Sequence, residues 1–269
     1  MNLNTSQIGL ILDLCENERG FTPGAISRNS NPMPEIRARP SIRTNEPASV
    51  RNLLTHKQQE QVLNNAAAFA YRRGGITLFS EGENAGYLYF VDEGIIRVSR
   101  CAENGRRQIL ALRTSGDLLG RPENGRYVNS AETVGPARVY RVAWQRMHEM
   151  IRADPQLHLH LLMKEADDFR RAERRIMILG QQNTCQRLVS FILDLLFLPE
   201  FFDEKRSLVK LPVNRFDLAD YLGIVRKSCE RALARLESEG LIRRVTSRTI
   251  EILNKDGLRL LQREQRGHH

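Results

Sequence analysis

The sequence predicts an α+β chain in three parts: a small β-roll, a long helix and a C-terminal winged helix-turn-helix. Three observations predict it. Short strand-like segments separated by glycine turns fill residues 51 to 145. A helical pattern then runs without interruption from about Asp154 to Leu179. Finally, two short helices flank Gly223 and precede strand-like segments at 241–245 and 249–252.

Taken in order, residues 1–50 are expected to be a disordered arm. Segment 20–49 is rich in Pro, Arg, Asn and Ser, with prolines at 23, 32, 34, 40 and 47, and has little apolar surface to offset the entropy of ordering. Segment 10–14 is apolar enough for a single helical turn or a docking segment. Residues 51–150 form the predicted β-roll. It opens with a helix over 53–70 and continues with strands near 77–79, 87–91, 94–98, 107–112 and 137–142. Asp92-Glu93-Gly94 and Glu103-Asn104-Gly105 are its hairpin turns.

Residues 151–181 form the predicted dimerisation helix. Pro155 suits a first helical turn. Leu162, Phe169 and Ile176 recur every seven residues, and Ala172 and Leu179 follow the last two by three, which makes a seam for a second helix. Residues 156–179 would span roughly 36 Å. Packing of this helix on its own β-roll is the competing reading. Gly180 is a candidate hinge. Residues 182–255 hold a further apolar helix at 185–198 and the winged helix-turn-helix, with the motif at about 215–234; residues 256–269 read as a tail.

The motif itself rests on residue chemistry. Leu218, Ala219 and Leu222 give the first helix a small apolar face, and Gly223 stands where the chain must turn. In the second helix Val225, Cys229, Ala232, Leu233 and Leu236 recur at the spacing of a buried stripe. Arg226, Lys227, Glu230 and Arg231 are left outward, and Ser228 lies in the first turn, where a phosphate can be held. The five are the candidate DNA contacts. Gly240 ends the helix, and a wing hairpin follows.

Composition agrees with a polyanionic partner. The 269 residues carry a net charge of +9 and a hydrophobic fraction of 41%. Segment 205–248 alone has eleven Lys/Arg against five Asp/Glu, a net +6. No apolar run approaches the roughly 20 residues of a membrane helix, since 188–198 is broken by Asp194. The N-terminus lacks a secretory pattern, so a cytoplasmic protein with reduced cysteines is expected, without a membrane partner.

β-roll, long helix and winged helix-turn-helix in this order resemble the CRP/FNR family of bacterial transcription regulators, over residues 51 to 255. The motifs Gly105-Arg106-Arg107-Gln108-Ile109, Gly116-Asp117-Leu118-Leu119-Gly120, Leu179-Gly180 and 217–223 are most similar to the FixK group. The resemblance implies a cyclic-nucleotide-binding-like β-roll and a homodimer on a palindromic operator in double-stranded DNA. It implies RNA polymerase as a partner, and activation of microaerobic or nitrogen-fixation genes. A repressor with altered operator specificity, or a redox- or ligand-gated sensor, is the alternative.

Three departures qualify it. The FNR branch clusters cysteines for an iron–sulfur centre, whereas Cys15 and Cys101 stand alone here. The cyclic-AMP branch needs a glutamate for the ribose and an Arg-Ser pair for the phosphate. This chain offers only a displaced Glu123 and Arg126 without the serine. No cofactor and no metal are therefore expected. In the recognition helix the family's Glu, Ser or Gly, and Arg become Lys227, Glu230 and Arg231. Arg231 can still read a guanine; Lys227 cannot accept from a cytosine. A shifted half-site follows, or a Lys227 that touches phosphate only.

Cys229 falls on the apolar stripe, as a core residue would. Its cationic neighbours Arg226, Lys227 and Arg231 make it the one candidate for redox control. His158 and His160, two apart on a helix, diverge and make no metal pair. No nucleophile–base constellation, P-loop or metal-ligand spacing points to an enzyme.

Overall fold

A computed structural model describes residues 54–263, all within one compact unit. The predicted arm, segment 10–14 and Cys15 lie outside the described residues. The chain opens with helix α1 (His56–Asn64). Thr55 caps it, its hydroxyl accepting from the Gln58 N–H while the Gln58 side chain accepts from the Thr55 N–H. The helix expected over 53–70 is corrected: residues 67–71 form strand β1 (Ala67–Tyr71). The alanines there favour a helix, but Phe69 and Tyr71 alternate into the core and pair across to Val139 and Ala137. Burial and pairing override propensity.

The β-roll continues through β2 (Thr77–Phe79), β3 (Tyr87–Glu93), β4 (Ile96–Cys101), β5 (Arg107–Arg113), β6 (Leu118–Leu119), β7 (Pro122–Glu123), β8 (Arg126–Tyr127), β9 (Ser130–Thr133) and β10 (Ala137–Ala143). Two four-stranded antiparallel sheets result, ordered β1-β10-β3-β6 and β2-β9-β4-β5, with a β7-β8 hairpin beside them. Glycines 94 and 105 take positive φ at the two predicted turns.

Helix α2 (Trp144–Ala153) follows directly, before the helical pattern expected from about Asp154. Its Met147 and Met150, with Leu157 and Leu161 of the next helix, cover Leu88, Phe90, Tyr140 and Val142 of the first sheet. Asp154 separates the two helices, its carboxylate accepting from the N–H groups of Gln156 and Leu157 at 3.0 and 3.2 Å. The long helix α3 (Pro155–Gln181) then runs 27 residues. Gly180 is not a hinge: it stays helical, and the break falls at Gln182 and Asn183, where Asn183 caps α4 (Thr184–Leu195) in a box with Gln186.

On α3, Leu162, Phe169, Ala172 and Ile176 are exposed, Phe169 and Ile176 to 65% and 69%. Leu179 differs. It is half-buried, and its Cδ2 stands 3.3 Å from where a Cβ on Gly223 would lie, so it packs on the helix-turn-helix of its own chain.

The C-terminal part adds β11 (Phe202–Asp203), β12 (Leu208–Lys210), α5 (Arg215–Leu222), α6 (Arg226–Ser238), β13 (Ile242–Arg244), β14 (Thr249–Ile252) and α7 (Lys255–Arg263). The wing hairpin β13–β14 is extended by β12 and β11 into a four-stranded sheet. The expected tail at 256–269 is corrected over its first part. It forms α7, with Leu258 and Leu261 buried, and Gln262 donates to the Ser190 hydroxyl of α4 at 2.8 Å. Two leucines three apart give α7 its buried stripe, a signal too short to stand out in sequence.

Candidate nucleic-acid interface

Helix α5 starts where Asn214 accepts from the N–H groups of Phe216 and Asp217, both at 2.9 Å. Leu218, Ala219 and Leu222 bury its inner face. Gly223 takes φ +66°, a left-handed conformation that only glycine adopts without steric cost, and closes the turn. Cys229, Ala232, Leu233 and Leu236 of α6 then complete the core. Val225 does not join that stripe as expected. It is the N-cap residue of α6, in extended conformation and 56% exposed, because the turn places it before the helix proper.

Of the five predicted outward residues of α6, Arg226, Lys227 and Arg231 are exposed and Ser228 is half-buried. Among the described residues no carboxylate lies within ion-pair distance of Arg226, Lys227, Arg231 or the wing's Arg248. Arg226 rests over the Phe216 ring, 4.2 Å from its centroid. Glu230 is also half-buried, 3.8 Å from Arg215 of α5 and 3.9 Å from Arg244 of the wing, and Arg244 is held in turn by Glu237 at 2.6 Å. Its carboxylate faces two guanidiniums, which compete with the expected contact to DNA.

Cys229 is fully buried, and burial pushes its thiol up to about 11, with the Arg215 charge too weak to offset it. The redox role is corrected accordingly: a neutral thiol enclosed by α-helical core is inert. Its basic neighbours Arg226, Lys227 and Arg231 are exposed instead. The His160 Nδ1–H donates to the Gln58 side-chain oxygen at 2.7 Å. No group of three or more His, Cys, Asp or Glu among the described residues is placed to hold a metal.

The other face of α5 is gripped by the β-roll. Asp217, almost fully buried, receives Arg97 at 2.9 Å and Arg107 at 2.6 Å. Arg107 also holds Asp220 at 2.7 Å, and the Gln108 amide donates to the Asp220 carbonyl at 2.5 Å. From α3, Arg175 stacks on Tyr221, 3.8 Å from the ring centroid, and donates to the Tyr221 carbonyl. Sequence reasoning singled out segments 105–109 and 217–223 separately and missed that they meet. A detectable signal existed: Asp217 and Asp220 are three apart, so they share one helix face, and that face needs cations.

The β-roll lumen bears on effector binding. A cavity of about 100 Å³ opens between Phe79, Val98, Leu118, Arg113, Arg121 and Asn129. That is well below the roughly 300–1,000 Å³ of ordinary ligand pockets. Its two guanidiniums are already matched by α3: Arg113 pairs with Asp168 at 2.5 Å, and Arg121 with Glu165 and Asp168. Arg126 and Glu123 lie on the exposed β7-β8 hairpin, where Arg126 donates to the Gly82 carbonyl at 2.6 Å. Neither residue lines that cavity.

Comparison with known proteins agrees with this architecture. Residues 71–154 match the cyclic nucleotide-binding domain, and residues 186–261 match the Crp-like helix-turn-helix domain. The nitrogen fixation regulation protein FixK of Azorhizobium caulinodans is 31% identical over 185 residues, covering 68% of this chain and 75% of that protein. The transcriptional activatory protein AadR of Rhodopseudomonas palustris is 29% identical over 184 residues, covering 68% and 73%. The structure of FixK2 from Bradyrhizobium japonicum superposes with a TM-score of 0.67 at 27% identity, covering 75% of this chain and 99% of that one. With a β-roll, a long helix and a winged helix-turn-helix whose reading face is open and basic, the chain belongs to the CRP/FNR family of DNA-binding transcription regulators, near FixK.

Proposed function

We propose that this regulator works as a homodimer on a palindromic operator and activates genes of the microaerobic or nitrogen-fixation type through contact with RNA polymerase. The observation that carries the DNA-reading part is the charge pattern of α6. Arg226, Lys227 and Arg231 are exposed on one helix face without carboxylate partners among the described residues, and the Arg248 cation of the wing adds to them. Uncompensated cations on a recognition helix are the electrostatic requirement for phosphate and base-edge contact. The exposed seam of Leu162, Phe169, Ala172 and Ile176 supports pairing of two α3 helices, which would set two recognition helices on half-sites one helical turn apart. No helix among the described residues is long and apolar enough to cross a membrane. The target genes are proposed from the likeness to FixK.

Activity without a small-molecule effector is part of the proposal. The lumen cations that would meet an anionic ligand are neutralised by Glu165 and Asp168 of α3. Selection of bound duplexes from a random DNA pool at about 150 mM salt tests the reading, since non-specific phosphate binding is weakened there. A palindrome enriched by the purified protein alone is the expected result. Enrichment only on adding a cyclic nucleotide would overturn effector independence, and no enrichment would overturn operator reading.

A further inference from the structure

The sequence marks Arg226 as a DNA contact but says nothing of Phe216, ten residues earlier on the other helix. The fold brings them together. The first turn of α5 divides its two side chains: Arg215 turns inward to Glu230, and Phe216 turns outward, 59% exposed. An exposed phenyl ring at the mouth of a recognition helix contributes nothing to the core. What it does is carry the Arg226 guanidinium on its face, at 4.2 Å. Arg226 has no carboxylate partner among the described residues, so the ring is its main constraint.

We propose that Phe216 is a positioning residue for specificity: it holds the Arg226 fork ready to read a guanine edge in the major groove. Two physical points favour this. Stacking uses the flat face of the guanidinium and leaves its in-plane N–H donors free, and those are the donors that bond guanine O6 and N7 together. An unrestrained arginine must also give up much rotamer freedom to form that pair, and a ring that pre-orders the side chain lowers this cost. Arg226 is the first residue of α6, and the N-terminal residues of a recognition helix are those that reach base edges. The inference rests on the operator reading proposed above.

The test uses the full-length protein and its selected duplex, with all four base pairs placed in turn at each half-site position. Arg226→Ala identifies the position it reads, as the one where the preference for guanine flattens. Phe216→Leu and Phe216→Ala should flatten that same position and no other. An exposed cation–π contact supports a loss of roughly two- to fivefold per half-site, compounded over the two half-sites of a palindrome. Phe216→Tyr should retain the preference, because the π face remains. In the Phe216→Ala, Arg226→Ala double variant no further loss should appear beyond Arg226→Ala alone. Thermal unfolding should not move, since the ring is exposed.

Wild-type discrimination in Phe216→Leu would overturn the proposal, and so would losses that add in the double variant. An even loss over all sequences would also overturn it, because it would place Arg226 on a phosphate. Failure of the wild type to enrich any duplex would overturn the operator reading itself, an outcome distinguishable from failure of the Phe216 series alone.

Discussion

The two sides of the helix-turn-helix treat cations oppositely. On the β-roll side, Arg97 and Arg107 are matched by Asp217, Asp220 and Glu132, with Asp217 almost fully buried. On the outer side, Arg226, Lys227, Arg231 and Arg248 are exposed, with no carboxylate within ion-pair distance among the described residues. Charge that is satisfied within the chain fixes the orientation of α5; charge that is left unsatisfied remains available to a polyanion. The comparison teaches that basic residues of one chain do different work according to which carboxylates the fold brings to them. It also shows that docking on the β-roll leaves the reading face open, because the β-roll grips α5 and not α6.

Breaking the inner face should have the largest effect. Asp217→Ala removes a buried carboxylate from between two guanidiniums, and unfolding in urea should show a loss of about 2–4 kcal/mol, below the full buried-pair figure because both arginines are partly exposed. An unchanged denaturation midpoint would show that the cluster contributes nothing to the fold.

Cys229 lies in the core between the two faces and gives a pH test. Its folded thiol titrates at about 11, above its ordinary value of 9.0. The folded state favours the protonated form, so this contribution is full below pH 9 and is lost as pH rises through 11. The loss should reach about 2–3 kcal/mol at most. Cys229→Ala should therefore lose less stability than wild type over pH 9 to 11. Peroxide at neutral pH should leave DNA binding intact, and peroxide-sensitive binding abolished by Cys229→Ala would reinstate a redox role.

Breaking the outer face should spare stability. Arg231→Ala is expected to weaken operator binding by about 1–3 kcal/mol per half-site, as measured by fluorescence anisotropy, with the unfolding midpoint unmoved. A smaller effect sharpens the comparison. Asp220→Ala should destabilise by up to about 1 kcal/mol, because its pair with Arg107 is partly exposed, and the same change should cost less in an Arg107→Ala background if the two act on each other. Independent, additive losses would mean that neither depends on its partner.

Much of the fold was legible along the chain. Gly223, Gly240 and the spacing of Leu218, Leu222, Cys229, Leu233 and Leu236 dictate two helices around a left-handed turn, since these are local rules of backbone sterics and apolar periodicity. The hairpin glycines 94 and 105 and the seven-residue seam on α3 follow the same logic. The exposed basic residues Arg226, Lys227 and Arg231 could be named because whatever is not on the apolar stripe must face away from it.

What the sequence could not decide depends on which distant residues meet. Residues 67–71 became a strand because β10 was there to pair with, and residues 255–263 became a helix because α4 offered an apolar face. Glu230 turned from an open acceptor into the partner of Arg215 and Arg244, and Cys229 from a reactive thiol into a buried one. Arg107 found Asp217 and Asp220 over a hundred residues away, and Arg226 found Phe216 across the turn. Local pattern sets which face of an element is apolar and which is charged. Only tertiary contact sets whether a given charge is neutralised, because Coulomb and desolvation terms depend on distance and burial, and neither is written in the order of residues.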